Sequence, residues 1–401
     1  MVGVAELERL LARDSSAQRR DERSMFTQLS QRRPIVLMGA GGLGRRTLPA
    51  LRAAGVEPLA FADNSPERQG TIIDGLRVLS PADAAREFGA TAAFVVTIWG
   101  ANSTHRFSDS RDQLLGLGCD VVVAFPPLYW AYAEALLPYY LQDLPHKVVD
   151  QKQAVRRAFD LWEDDASRVE YLSQVRFRMD ADFAGLAHPV THPAYFPDDL
   201  FAWSDDEWVV DGGAYDGDTV RALSFLHGER FAHVLALEPD PGNFGTLAAT
   251  VAALPPEAGA KIACAQLALA SKAGTLHIEA TGTAASTTST VPTARTIAVQ
   301  AEALDVIIGS ARPTLIKLDI EGAEPDALLG ARETITRHGP VLAICVYHRQ
   351  DHLWRIPLMV QEWRGDYAFF LRPHNEEGWD LVCYAIPRSR LLPRVEAGAA
   401  G

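Results

Sequence analysis

The residues best equipped for chemistry sit on glycine-rich corners. In VVDGGAYDGDT, residues 209–219, a β-branched run ends on Asp211 and breaks into a turn bearing Gly212, Gly213 and Gly217. A polar pair, Asp218 and Thr219, then opens a helix. Glycine allows backbone angles and close approaches that a side chain forbids, and a strand, glycine turn and helix N-terminus form a nucleotide-binding corner. Here the acid precedes the glycines. A second acid, Glu238, ends the next strand-like run in VLALEPDP, where it can accept hydrogen bonds from two ribose hydroxyls. Asp211 would repel a pyrophosphate and attract a cation. A nucleoside with a positively charged amino-acid tail suits both acids, and S-adenosylmethionine is such a molecule. The plainer reading makes Asp211 a helix cap and residues 238–241 a turn.

The other corner is GAGGLG, with Gly39, Gly41, Gly42 and Gly44 after one strand-like run and Asp63 at the end of the next. This is the context of a dinucleotide fingerprint, and an NAD(P)-dependent enzyme is the first rival reading. Asp63 is followed by Asn64, Ser65 and Pro66, so it can equally cap a turn, and no dehydrogenase catalytic set follows. Binding of a nucleotide-sugar, or a structural or dimerising role, are the other readings of this corner.

The elements around these corners are those of an α/β protein. Residues 1–30 read as a helical arm. Over residues 31–148, PIVLMG, PLAFAD, AAFVVTI and DVVVA alternate with helical patterns, which indicates a doubly wound parallel sheet, a Rossmann-like domain. Residues 149–204 carry helical periodicity and then an irregular stretch rich in Pro, His and aromatics, a helical linker and loop. Residues 205–390 return to alternating strands and helices, closing on two strands with no helix between them, an antiparallel end to a second doubly wound sheet. The tail, residues 391–401, is expected to fray.

Bulk properties restrict function. At 401 residues, 48% hydrophobic and 22% charged, the chain has ample material for full cores. A net charge of −13 opposes a nucleic-acid partner, which selects for a basic face. Cys119, Cys264, Cys345 and Cys383 are scattered, with no zinc spacing, and fit a reducing cytoplasm. The most apolar tract, residues 121–141, is broken by Pro126, Pro127, Glu134 and Pro138 and reads as buried elements, not as a membrane span.

At residues 313–328 the chain reads PTLIKLDIEGAEPDAL. Together with DGGAYDGDT at Asp211, LEPDPGNF at residues 237–244, ALASKAGTL at residues 268–276 and YHRQDHLWRIPL at residues 347–358, it resembles the FkbM family of S-adenosylmethionine-dependent methyltransferases. The first domain is similar to the N-terminal domain attached to some members. The resemblance implies a class I methyltransferase fold acting on hydroxyls of sugars, polyketides or related natural products. It implies a cofactor site built from Asp211, Gly212, Gly213, Ala214, Tyr215, Gly217, Asp218 and Thr219, continued by Glu238, Pro239, Asn243, Phe244, Ala268, Leu269 and Asp319. Gly212 stands where many members carry a variable or apolar residue, which implies a softer turn.

A hydroxyl needs help to lose its proton. Asp319 and His348 each end a predicted parallel strand, the edge where α/β sheets hold ligands, and Glu321 lies just past Asp319. The expectation is His348 as general base with Asp319 beside the reacting groups. A second version has Asp319, Glu321 and His348 holding a divalent metal that acidifies the hydroxyl. Glu324 is read as an acid complementing the helix dipole, and His352 as a solvated or loop residue. The aromatic stretches LYWAYAEALLPYY and HPVTHPAYF are read as core or as cleft walls, and His146, His188 and His192 as weak substrate-binding candidates. The expected partner is a small hydroxylated substrate, with a nucleotide-linked sugar and a homodimer as further expectations. A non-catalytic nucleotide-sugar-binding or interaction protein is the second rival.

Overall fold

The computed structural model describes residues 2–101, 105–279, 288–289 and 296–393; the tail expected to fray lies outside them beyond Pro393. Short apolar runs make the first sheet: β1 (Ile35–Met38), β2 (Ala60–Ala62), β3 (Ile72–Ile73), β4 (Leu76–Leu79), β5 (Ala93–Val96) and β6 (Val121–Ala124), in the order β3-β4-β2-β1-β5-β6. All four residues of β1 and of β5 are buried, as befits parallel strands covered on both faces. The β3–β4 hairpin was not read from the sequence. Its signal is Asp74-Gly75, with φ of 50° and 81°, the two positive values that a tight hairpin turn needs.

The second sheet contains β7 (Trp208–Gly212), β8 (His233–Leu237) and β9 (Ile262–Ala265). A smaller sheet follows, from β10 (Ala268–Leu269), β11 (Gly274–Glu279), β12 (Thr288–Ser289) and β13 (Thr296–Glu302). The chain then returns with β14 (Leu315–Leu318), β15 (Val341–Cys345), β16 (Tyr367–Pro373) and β17 (Leu381–Pro387) to complete the order β16-β17-β15-β14-β7-β8-β9. The continuous run KIACAQLALA, residues 261–270, therefore divides between two sheets. β17 runs antiparallel to both β15 and β16, the antiparallel end expected from the closing hairpin.

Helices tie the two large sheets together. In the N-terminal helices Val4–Leu11 and Ser15–Arg32, Leu7, Leu11 and Phe26 are buried. Asp164 caps the helix Asp165–Asp180 by accepting from the Ser167 N–H, and Arg372 of β16 reaches back to Asp164 at 2.7 Å. One continuous hydrophobic core runs from Leu7 through Ile35 and Phe159 to Ile386. Burial of this kind is worth roughly 25 cal/mol per Å² of apolar surface, so the first sheet and the second are held as one packed body. Among the described residues no helix is long and apolar enough to cross a membrane.

Candidate active site

A cavity of about 490 Å³ opens at the carboxyl ends of β7, β8, β14 and β15, and residues following β5 and β6 wall its far side. One end is a cradle. Gly213, at φ 75°, presses its backbone so close to β14 that a Cβ would lie 1.9 Å from the Asp319 carbonyl oxygen; Gly217, at φ 86°, is similarly crowded by Thr250. At Gly212 a Cβ would meet the side-chain ends of Leu269 and Leu318 at 2.8 Å, so both leucines would have to shift to admit one. Glu238, at the tip of β8, accepts from the N–H groups of Tyr215 and Asp240 at 2.9 Å each. Asp240 in turn caps the helix Pro241–Ala252.

Asp211 departs from expectation. It is fully buried and does not line the cavity. Its cation is the chain's own: Lys317, its register partner on β14, places Nζ 2.9 Å from Asp211 and donates to the Gly213 carbonyl at 2.7 Å. Burial alone would favour a neutral amine, but Asp211, Asp319 and Asp218 outweigh it and raise the Lys317 pKa. The signal for Lys317 was a lone lysine in an apolar strand, LIKLD. Of the expected cofactor residues, Gly213, Tyr215, Asp218, Glu238, Pro239, Asn243, Ala268, Leu269 and Asp319 line the cavity. Asp211, Gly212, Ala214, Gly217, Thr219 and Phe244 do not.

The opposite end is acidic. Tyr195 and Tyr347 donate their hydroxyls to Asp319 at 3.0 and 3.2 Å. His348, just past β15, is 1% exposed and sits behind this wall, its Nε2 3.3 Å from Asp319 and 3.8 Å from Glu321. Glu324 holds the other ring nitrogen at 2.8 Å and reaches His352 at 3.2 Å. Burial would strip His348 of its proton, yet Glu324, Glu321 and Asp319 raise its pKa to about 10. An imidazole so held is already protonated at neutral pH, which opposes the general-base role expected of it. The metal version of this triad rests on His348 Nε2 lying 3.3 Å from Asp319 and 3.8 Å from Glu321, an arrangement less compact than an ion site asks for. Among the described residues the carboxylate–histidine group compact enough for an ion is His192, Asp198 and Asp199, away from the cavity lining.

Glu321 has the environment that His348 lacks. It lines the cavity in a left-handed conformation, φ 56°, and its Oε2 has no partner among the described residues. Burial pushes its carboxyl up to about 7, with Asp319 and Glu324 adding to the rise against His348 and Arg349. Glu324 does more than complement a dipole: it is fully buried and accepts from the N–H groups of Ile320 and Gly322 at 2.9 and 3.3 Å, fixing the turn that carries Glu321. His352, expected in solvent, is 2% exposed in the first turn of the helix His352–Trp363.

The remaining walls escaped the sequence reading or were left between core and cleft. Tyr139, Tyr140, Ala194 and Tyr195 line the cavity, while Tyr129 and Trp130 are core. Trp379 and Asp380, from the β16–β17 connection, also line the cavity, and Trp379 meets Trp99 from just past β5, the two indoles 4.4 Å apart. Burial and the neighbouring Asp319 push the Asp380 carboxyl up to about 6. His146 is buried against Glu22, and His188 lies against Arg106 and Glu376, so neither lines the cavity; His192 does not line it either.

The GAGGLG corner is satisfied internally. Asp63 accepts from the N–H groups of Ala40 at 2.7 Å and Ser65 at 2.8 Å, and pairs with Arg68 at 3.2 Å. A Cβ on Gly44 would lie 2.0 Å from the Gly39 carbonyl oxygen, so these glycines serve helix–strand packing. None of Gly39, Gly41, Gly42, Gly44 and Asp63 lines the cavity.

With this geometry in view, comparison with known proteins is informative. Residues 211–370 match the family model described as Methyltransferase FkbM domain. The methyltransferase FkbM of Methylobacillus flagellatus KT shares 22% identity, covers 92% of this chain and 96% of its own, and superposes with a TM-score of 0.76, which shows a common fold over both large sheets. The UDP-D-quinovosamine 4-dehydrogenase of Vibrio fischeri (18% identity, 23% of this chain and 77% of its own, TM-score 0.20) and a putative rRNA-methylase of Clostridium thermocellum (9%, 46% and 89%, TM-score 0.30) are too distant to carry an argument. The search of curated proteins gives no match.

Proposed function

We propose that this chain is an S-adenosylmethionine-dependent O-methyltransferase acting on a hydroxyl of a small, sugar-like or related natural-product substrate, a reading supported by the FkbM methyltransferase domain model that residues 211–370 match. The observation that carries this reading is the continuity of one cavity, from the Gly213–Glu238 cradle to the carboxylates of Asp319 and Glu321. The cradle fits the cofactor. Glu238 offers a carboxylate at the strand tip for ribose hydroxyls, Leu237, Leu267 and Leu269 give apolar contact for a base, and Asp218 supplies a negative charge for the ammonium of an amino-acid tail. When bound there, S-adenosylmethionine would supply a methyl group on a sulfonium.

The chain's own residues do the rest. Aromatic walls exclude water and orient the acceptor, and positioning of this kind supplies much of the rate in a transfer reaction. Glu321, poised near neutral pH, takes the proton of the attacking hydroxyl. His348 keeps its proton and, with Tyr195 and Tyr347, holds Asp319 in place. Titrating the protein with S-adenosylhomocysteine and with NADH tests the reading. Micromolar affinity for the first supports it; affinity for NADH alone would transfer the function to the GAGGLG corner.

A further inference from the structure

The end of the cavity away from the cradle has a chemical character of its own. Its walls are Trp99, Tyr140, Tyr347 and Trp379, with Tyr140 and Trp379 ring centres 4.6 Å apart. Its polar groups are the carboxylates of Asp319, Glu321 and Asp380. Two buried polar atoms on these walls have no partner among the described residues: the indole N–H of Trp379, a residue only 5% exposed, and Glu321 Oε2. An unpaired buried donor and acceptor are costly unless a ligand or water completes them.

The charge balance is one-sided. Among the described lining residues the basic side chains are Lys317, committed to Asp211 and Gly213, and His374, whose imidazole burial pushes down to about 4. His348 stands behind Asp319, Arg349 beside Gly322 and Arg46 over the Tyr139 ring, and none of these lines the cavity. Carboxylates in a partly dry site attract a cation and repel phosphate. Aromatic faces add to the attraction for an ammonium group.

Resting on the methyl-transfer reading above, we infer that the space between Trp99, Tyr140 and Asp380 is the acceptor subsite, and that it takes a hydroxylated ring bearing an ammonium group in preference to a phosphorylated or nucleotide-linked ring. Trp99 and Tyr140 come from the first sheet's side of the molecule, so acceptor choice is built from both sheets. Asp380 meets the ammonium group, and the Trp379 N–H donates to a ring oxygen.

Calorimetric titration of the full chain tests this in two stages. S-adenosylhomocysteine is titrated first; failure to bind would sink the methyl-transfer reading itself. With that ligand present, glucosamine, N-acetylglucosamine, glucosamine 6-phosphate and UDP-N-acetylglucosamine are compared, then their galacto and manno counterparts. The expected result is at least one amine that binds about tenfold or more tighter than its N-acetyl form, with phosphorylated forms weaker still. Raising ionic strength should shrink that preference, and Asp380→Asn should reduce it to under about threefold while S-adenosylhomocysteine binds as before. Equal binding of amine and N-acetyl forms, tighter binding of phosphorylated forms, or no amine binding at 10 mM (roughly 2.7 kcal/mol of affinity) would overturn the inference with the methyl-transfer reading intact.

Discussion

Glu321 is held in a conformation that a residue with a side chain adopts at a cost of about 1–2 kcal/mol, φ 56°, followed by Gly322 at 103°. Glu324 stabilises that turn from beneath through two backbone N–H groups. The turn aims one carboxylate into the cavity, where its pKa rises to about 7. A base must be deprotonated to act, so turnover should rise with pH through about 7 and level off above it. Glu321→Gln should remove that limb and lower turnover by about 10²-fold or more, while a full-rate variant with an unchanged pH profile would exclude Glu321 as base. Glu238→Ala probes the other end. Loss of a charged acceptor for ribose hydroxyls should weaken S-adenosylhomocysteine binding by about tenfold or more, since such bonds are worth about 1.5–3 kcal/mol; unchanged affinity in a titration would move the ribose elsewhere.

At the scale of elements, the two glycine corners look alike in sequence and do different work. At β7 the glycines let β7 and β14 approach until Gly213 and the Asp319 carbonyl touch, which shapes the cradle. At β1 the glycines let the helix Gly42–Ala53 seat on the strand, and Asp63 closes the loop with its own carboxylate. Gly213→Ala and Gly44→Ala should both lower the thermal midpoint, because each forces a backbone contact near 2 Å apart. Only the first should also weaken S-adenosylhomocysteine binding to the folded fraction; equal loss in both variants would tie the GAGGLG corner to the cofactor. Much of this was readable in advance. Apolar runs ending in Asp211, Glu238 and Asp319 give the strands and place their acids at one sheet edge. What could not be read is which charges meet. Lys317 faces Asp211 only once β14 pairs with β7, and Glu324 meets His348 and His352 only once the helix Glu324–Gly330 packs beside the end of β15. Partners set by tertiary register leave no local periodicity, so Asp211 was given a ligand's cation and His352 a place in solvent.

The whole molecule is organised around the meeting of its two large sheets. The β16–β17 connection reaches across to the first sheet: Trp99 donates its indole N–H to the Glu377 carbonyl at 3.2 Å, and the Glu377 carboxylate accepts from the Phe107 N–H. The acceptor end of the cavity exists only while that clasp holds. Two buried groups link it to pH. Burial pushes Glu377 from 4.5 up to about 7, so the folded state binds its proton more tightly than the unfolded chain does. Stability from this group is full below about pH 4.5 and falls as pH rises through 7. For His348, burial opposes the proton but Glu324, Glu321 and Asp319 raise the pKa from 6.5 to about 10. Its contribution is full below about 6.5 and is lost as pH rises through 10. Both slopes run the same way, so the thermal midpoint should decline from mildly acid to alkaline pH in two separable stages. Glu377→Gln, which keeps an acceptor for Phe107, should shrink the stage below pH 7, to which Glu321 and Asp380 also contribute, and leave the upper one. His348→Gln should remove the upper stage and, by taking a cation away from Glu321, deepen the lower one. A midpoint that rises from pH 6 to 9 in the parent protein, or an upper stage that survives His348→Gln, would show that the proton linkage lies elsewhere.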